Sequence, residues 1–172
     1  MNKDANLIFL IGFMGCGKST LGKKVAAKTG YSFIDLDDLI IQKIQMSISE
    51  YFEIHGEAAF RQIERDTLHS LYGIQDTIVA TGGGTPCHFD NMNWMNNNGK
   101  TVFLKIPSKA LLSRLSQKDI ESRPLLKGKS NEELLSFIEL KLEERSSFYN
   151  QAKIVFDVLQ SNQKDLIKQI AL

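Results

Sequence analysis

Cysteine is scarce: the 172 residues hold two, Cys16 and Cys87, with no Cys-x-x-Cys spacing. That excludes a disulfide framework and a cysteine-built zinc site, and makes free thiols in a reducing compartment the expected state. The three histidines, His55, His69 and His88, lack metal-ligand spacing as well and read as surface or structural residues. There is no excess of charge of one sign. Twenty-one Lys and Arg face 20 Asp and Glu, a net charge of +1, so no global field draws the chain to nucleic acid or to a membrane surface. A basic stripe interleaved with aromatics is missing too, which argues further against nucleic acid. Long hydrophobic runs are also absent. Leu7–Ile11 is far too short to span a membrane and stops at Gly12 rather than at a cleavage site, so it reads as a buried strand. No targeting segment is evident, and the expected location is the cytoplasm. What is present is ordinary globular composition, 42% apolar and 24% charged, in a length that suits one domain over residues 1–172.

Short apolar strands alternate with longer helical stretches. The strands are expected at Leu7–Ile11, Ser32–Asp35, Thr77–Thr81, Thr101–Lys105 and Ile154–Val158. Helical periodicity covers Lys18–Lys28, Ile48–Phe52, Glu57–Leu71, Lys109–Leu115, Glu132–Phe148 and Lys164–Leu172. Helices of this length between strands imply crossover connections, hence an α/β fold with a five-stranded, mostly parallel sheet covered on both faces. In such sheets ligands collect at the carboxyl ends of the strands. Two stretches break the pattern. Asn91–Gly99 is rich in Asn and reads as a surface loop or frayed helix with no assignable chemistry. Residues 117–131 are polar, contain Arg123-Pro124, and read as a long loop acting as a mobile lid.

Gly12-Phe-Met-Gly-Cys-Gly-Lys-Ser-Thr20 follows the first strand and opens the first helix, the context that the GxxxxGK[ST] pattern requires. Its glycines let the backbone of Gly15, Cys16 and Gly17 turn its N–H groups inward around phosphate oxygens, and the helix adds the positive end of its dipole. Lys18 can reach the β- and γ-phosphates, Ser19 is placed to bind Mg²⁺, and Thr20 can donate toward the α-phosphate. The loop says nucleoside triphosphate and leaves the acceptor open.

Three clusters after later strands bear on the acceptor. Asp35 and Asp37 share one face if the backbone is extended, and could serve Mg²⁺ and a substrate hydroxyl; alternatively Asp37 or Asp38 caps a helix beginning near Leu39. Arg61 and Glu64, three apart, read by themselves as a solvated surface pair. Gly82-Gly83-Gly84, closing a buried strand, suits close approach of backbone to a ligand, although a bare tight turn fits as well.

Taken together, these pieces resemble the shikimate kinase family, and the resemblance runs nearly the whole chain in order. It rests on the glycine loop, Asp35-x-Asp37, Gly56-Glu-x-x-Phe-Arg61, Gly82–Gly84, Arg123-Pro-Leu-Leu126, and Arg145 before Phe148-Tyr149. The resemblance implies a P-loop kinase fold that uses ATP and Mg²⁺ to phosphorylate the shikimate 3-hydroxyl, on the route to chorismate and aromatic amino acids. It implies Ser19 and Asp35 as metal-holding residues, the latter through water. Asp37, Arg61, Gly82, Gly83, Gly84 and Arg145 would bind shikimate, with the acceptor-binding region at about residues 37–64. Lys18, Asp37 and Arg123 would be catalytic, with Arg123 closing from the lid. Arg114 and the tail near Asn162 would flank adenine, and Glu64 would brace Arg61. Gln160-Ser-Asn-Gln163 lacks the basic residue usual there, and Thr85-Pro86 is a mild variation. A monomer is expected, with no nucleic-acid or membrane partner. The other readings are a gluconate-type or other small-molecule P-loop kinase, and a non-catalytic nucleotide-binding switch.

Overall fold

A computed structural model describes residues 7–115, 120–121 and 126–170. Five parallel strands form one sheet in the order β2-β3-β1-β4-β5. The strands are β1 (Leu7–Ile11), β2 (Ser32–Asp35), β3 (Thr77–Ala80), β4 (Lys100–Lys105) and β5 (Ile154–Asp157). Between them run α1 (Lys18–Thr29), α2 (Leu36–Ile44), α3 (Ile48–His69), α4 (Asn91–Asn98), α5 (Ser108–Arg114) and α6 (Asn131–Tyr149). Gln163–Ile170 forms α7 after the last strand.

The two-residue period of the strands divides the core in two. Ile8, Leu10, Ile78, Val102 and Leu104 face a layer made by Val25 and Ala26 of α1, Leu111 of α5, Ile138 of α6 and Leu166 of α7. Leu7, Phe9, Ile11, Val79 and Phe103 face the other way, against Leu36, Ile40, Phe60, Leu68, Met92, Met95 and Tyr149. The central strands β1, β3 and β4 are therefore dry on both faces, which is why they read as nearly unbroken apolar runs, whereas the edge strands β2 and β5 stay partly exposed. Among the described residues no helix is long and apolar enough to cross a membrane.

Three local outcomes differ from, or sharpen, the sequence expectation. Asn91–Gly99 is no loop: Asn91–Asn98 is a helix, with Asn91, Met92 and Met95 buried. Asparagine has poor helix propensity, and packing of Met92 and Met95 overrides it. The expected break between helices at Ile48–Phe52 and Glu57–Leu71 is a kink at Gly56 (φ 79°) inside one long helical stretch. Finally, α2 starts at Leu36, so Asp35 and Asp37 do not share a face of extended backbone. Asp35 itself is the N-cap, in place of Asp37 or Asp38, and its carboxylate accepts from the Asp37 N–H at 3.2 Å. The expected lid at 117–131 falls partly outside the described residues, with Arg123 among those outside; near its far end the Ser130 hydroxyl caps α6.

Strand register sets the site. Leu10 pairs with Ala80, and Ala80 with Asp35, so the carboxyl ends of β1, β3 and β2 finish side by side. The chain leaves these ends as Gly12, Thr81-Gly82 and Leu36-Asp37, on one edge of the sheet.

Candidate active site

A cleft of about 400 Å³ opens at this edge, lined by Gly15, Lys18, Ser19, Thr20, Asp35 and Asp37 and continued by Thr81, Gly82 and Gly83. The glycine loop thus shares one space with Asp35, Asp37 and the first two glycines of the triplet. Gly15 (φ 76°) and Gly17 (φ 99°) turn the loop through left-handed backbone that side-chain-bearing residues rarely adopt. Gly17 is the N-cap of α1 and no side chain caps that helix, which leaves its first N–H groups facing the cleft. Lys18 donates to the carbonyls of Gly12 (2.7 Å) and Phe13 (3.0 Å), holding its ammonium within the loop. Cys16 is fully buried, so it offers the cleft backbone only. Arg114, at the end of α5, donates to the Cys16 carbonyl at 3.4 Å.

Ser19 Oγ donates to Asp35 Oδ2 at 2.6 Å. The pair joins helix α1 to the end of β2 and presents a hydroxyl and a carboxylate beside the phosphate loop. That all-oxygen donor set fits Mg²⁺, which takes few protein oxygens and completes its shell from phosphate and water.

The glycine triplet is where two distant arginines come together. A Cβ added at Gly84 would lie 2.9 Å from Arg61 Nη2, and one at Gly83 would lie 3.2 Å from Arg145 Nη1. A Cβ at Gly82 would lie 3.1 Å from Asp37 Oδ1. Glycine is required here because guanidinium and carboxylate groups occupy the space a side chain would fill. Arg61 and Arg145, 84 positions apart in the sequence, therefore flank consecutive residues. Their fields overlap: both oppose the rise of the Cys87 thiol, which burial nonetheless pushes up to about 11. His88 lies under the same pair, its protonation disfavoured first by burial and then by Arg61.

Arg61 is not the solvated pair its spacing suggests. Its Nη1 donates to Glu64 Oε2 at 2.9 Å, and Glu64 is 1% exposed. Two further contacts to Glu57, at 3.1 and 3.2 Å, fix the other side of the guanidinium. Arg145 lies over the Phe13 ring, 5.4 Å from its centroid, which ties the acceptor side to the phosphate loop.

Tyr149 escaped sequence reasoning. Its hydroxyl donates to the Gly83 carbonyl at 2.7 Å, and burial raises its phenol well above the ordinary range. The available signal was its position four residues after Arg145, on the same face of α6. Asn162 caps α7: its side chain accepts from the Lys164 N–H at 2.8 Å, and its own N–H donates to Asp165.

A phosphate-loop cleft that reaches a glycine triplet flanked by two arginines defines the class, a P-loop small-molecule kinase. Residues 14–172 match the pattern of the family described as "Shikimate kinase", and the chain belongs to that family. It is 48% identical to a shikimate kinase of Parabacteroides distasonis over 150 residues, covering 87% of this chain and 86% of that protein. Among solved structures it resembles the shikimate kinase of Bacteroides thetaiotaomicron, with a TM-score of 0.86, 40% identity and 96% of each chain covered. It also resembles the Acinetobacter baumannii shikimate kinase, solved in complex with shikimate. There the TM-score is 0.83 and the identity 31%, over 97% of this chain and 91% of that one. ATP is the phosphate donor the family implies, and the reaction is phosphotransfer to an alcohol group.

Proposed function

We infer that the chain transfers the γ-phosphate of ATP to the 3-hydroxyl of shikimate, giving shikimate 3-phosphate. The observation that carries this reading is the approach of Arg61 and Arg145 to adjacent glycines at the end of the cleft that holds Lys18 and Ser19. A planar guanidinium binds a carboxylate through paired, charge-assisted hydrogen bonds, each contributing about 1.5–3 kcal/mol. Two of them account for an acid acceptor, where a neutral sugar would need neither.

In this reading the N–H groups of Gly15, Cys16, Gly17 and the start of α1 cradle the triphosphate, and Thr20 donates toward the α-phosphate. Lys18 leaves the loop carbonyls for the β- and γ-phosphates. Ser19 and Asp35 would hold Mg²⁺, which when bound would neutralise charge on the phosphates. Arg61, Arg145 and the backbone of Gly82, Gly83 and Gly84 seat the acid. Asp37, beside Gly82, accepts a hydrogen bond from the acceptor hydroxyl, orients it and can receive its proton. Phosphoryl transfer asks mainly for positioning and charge neutralisation, so these contacts supply most of what catalysis needs. Arg123 would close from the lid onto ATP, and Arg114 would lie along the nucleotide, with Asn162 near adenine. The chain would act as a monomer of one domain in the cytoplasm, without nucleic acid or membrane.

The test is ADP release measured with ATP, Mg²⁺ and a panel of hydroxy acids that includes shikimate and gluconate. Shikimate alone should drive release. Turnover of gluconate, or ATP binding with transfer to no acid, would overturn the assignment.

A further inference from the structure

Behind the acceptor arginine lies a chain of polar groups that neither the glycine loop nor the substrate contacts explain. Arg61 donates to Glu64 Oε2 at 2.9 Å. The other oxygen, Glu64 Oε1, accepts from the Thr85 hydroxyl at 2.6 Å. The Thr85 carbonyl in turn accepts from Asn91 Nδ2 at 2.9 Å. Thr85 and Asn91 are 0% exposed and Glu64 is 1% exposed. The links come from three elements: helix α3, the short turn after the glycine triplet, and the first residue of α4.

We propose that Thr85, held by Asn91, is a positioning residue for the acceptor-binding arginine: it fixes the Glu64 carboxylate and, through it, the Arg61 guanidinium. A carboxylate held at one oxygen can swing about its terminal torsion, and its partner swings with it. A hydroxyl has a single proton, and Thr85 commits it to Glu64 Oε1, a short charge-assisted bond that sets the carboxylate plane. Oε2 is left aimed at Arg61. The same residue follows the triplet directly, and its N–H bonds to the Gly82 carbonyl at 3.2 Å. The glycines and the guanidinium that flanks them are thereby registered to one turn. Asn91 prevents that turn from sliding, a use for α4 that its Asn-rich sequence does not advertise.

The inference rests on the reading of Arg61 as a carboxylate-binding group, and the experiment separates the two. Thr85→Val keeps the shape and removes the hydroxyl. It should raise KM for shikimate about tenfold, the worth of one charge-assisted hydrogen bond, with KM for ATP unchanged. Thr85→Ser should restore wild-type KM, and Thr85→Ala carries the same expectation as valine should the valine variant fail to fold. A lowered melting temperature with wild-type KM for shikimate in the valine or alanine variant would overturn the positioning role. Arg61→Ala serves as control. If it raises KM for shikimate while Thr85→Val does not, the relay is wrong and the acceptor site stands. If Arg61→Ala leaves KM for shikimate unchanged, the acceptor reading fails and the relay with it.

Discussion

Gly84→Ala is the sharpest single perturbation of the acceptor side, because its backbone and its surroundings make opposite demands. Gly84 has φ −88° and ψ −16°, ordinary right-handed backbone that alanine adopts without strain. Alanine would even remove some freedom from the unfolded chain, worth about 0.4–1 kcal/mol in favour of folding. The new methyl, however, would sit 2.9 and 3.0 Å from the two terminal nitrogens of Arg61 and 3.2 Å from the carbon between them. Comfortable contact needs about 3.5 Å, so the guanidinium must retreat by roughly half an ångström or more. It cannot do so freely, since Glu64 grips it at 2.9 Å and Glu57 at 3.1 Å. Half an ångström is enough to spoil paired hydrogen bonds to a carboxylate. Losing one charge-assisted bond costs about 1.5–3 kcal/mol, so kcat/KM for shikimate should fall by about 10- to 150-fold. KM for ATP should stay near wild type, and the melting temperature should move by a few degrees at most. Steady-state kinetics with each substrate varied in turn reads all three. A variant with wild-type kcat/KM for shikimate would refute the placement of Arg61 as the acceptor's partner.

Three further outcomes follow from the site and from one histidine outside it. Lys18→Met removes the loop's ammonium and should lower kcat by about 10³-fold, with the protein still folded by circular dichroism; substantial turnover would contradict its placement on the transferring phosphate. Asp35→Asn keeps an N-cap for α2 while removing the charge beside Ser19, so the Mg²⁺ concentration for half-maximal rate should rise at little cost in stability, and an unchanged Mg²⁺ profile would exclude Asp35 from the metal. His69, stacked on Trp94 at 4.6 Å, has its pKa held below 6.5 by burial first and by Arg65 second, against Asp90 and Asp66. The unfolded chain therefore takes up that proton more readily, and stability present above pH 6.5 is lost as pH falls. His69→Phe keeps the stacking and should flatten the fall in melting temperature below that pH; an unchanged slope would show that His69 does not cause it.

The sequence made the middle of the sheet legible because β1, β3 and β4 are buried on both faces and so announce themselves as apolar runs. The Gly56 interruption of α3 was legible for a local reason too: glycine there takes φ 79°. What stayed hidden depends on residues far apart in the chain. Arg61 and Glu64 look like a surface pair until Thr85, 21 positions beyond Glu64, closes over the carboxylate. The Asn-rich helix α4 defeats propensity because its buried methionines and its Asn91 contact come from tertiary packing. Asp35 could not be assigned from spacing alone, since capping α2 and bonding Ser19 use its two oxygens separately. The Arg61–Arg145 meeting is of the same kind: only the family resemblance, and not the spacing of the residues, brought those two together on paper.

The most direct test of that meeting is a double-mutant cycle on kcat/KM for shikimate, using Arg61→Ala, Arg145→Ala and the combined variant. Two guanidiniums sharing one carboxylate should each cost at least about tenfold alone, with a coupling energy of about 0.5–3 kcal/mol between them. Strict additivity, or a single variant that behaves as wild type, would mean that the two arginines do not hold the same anion.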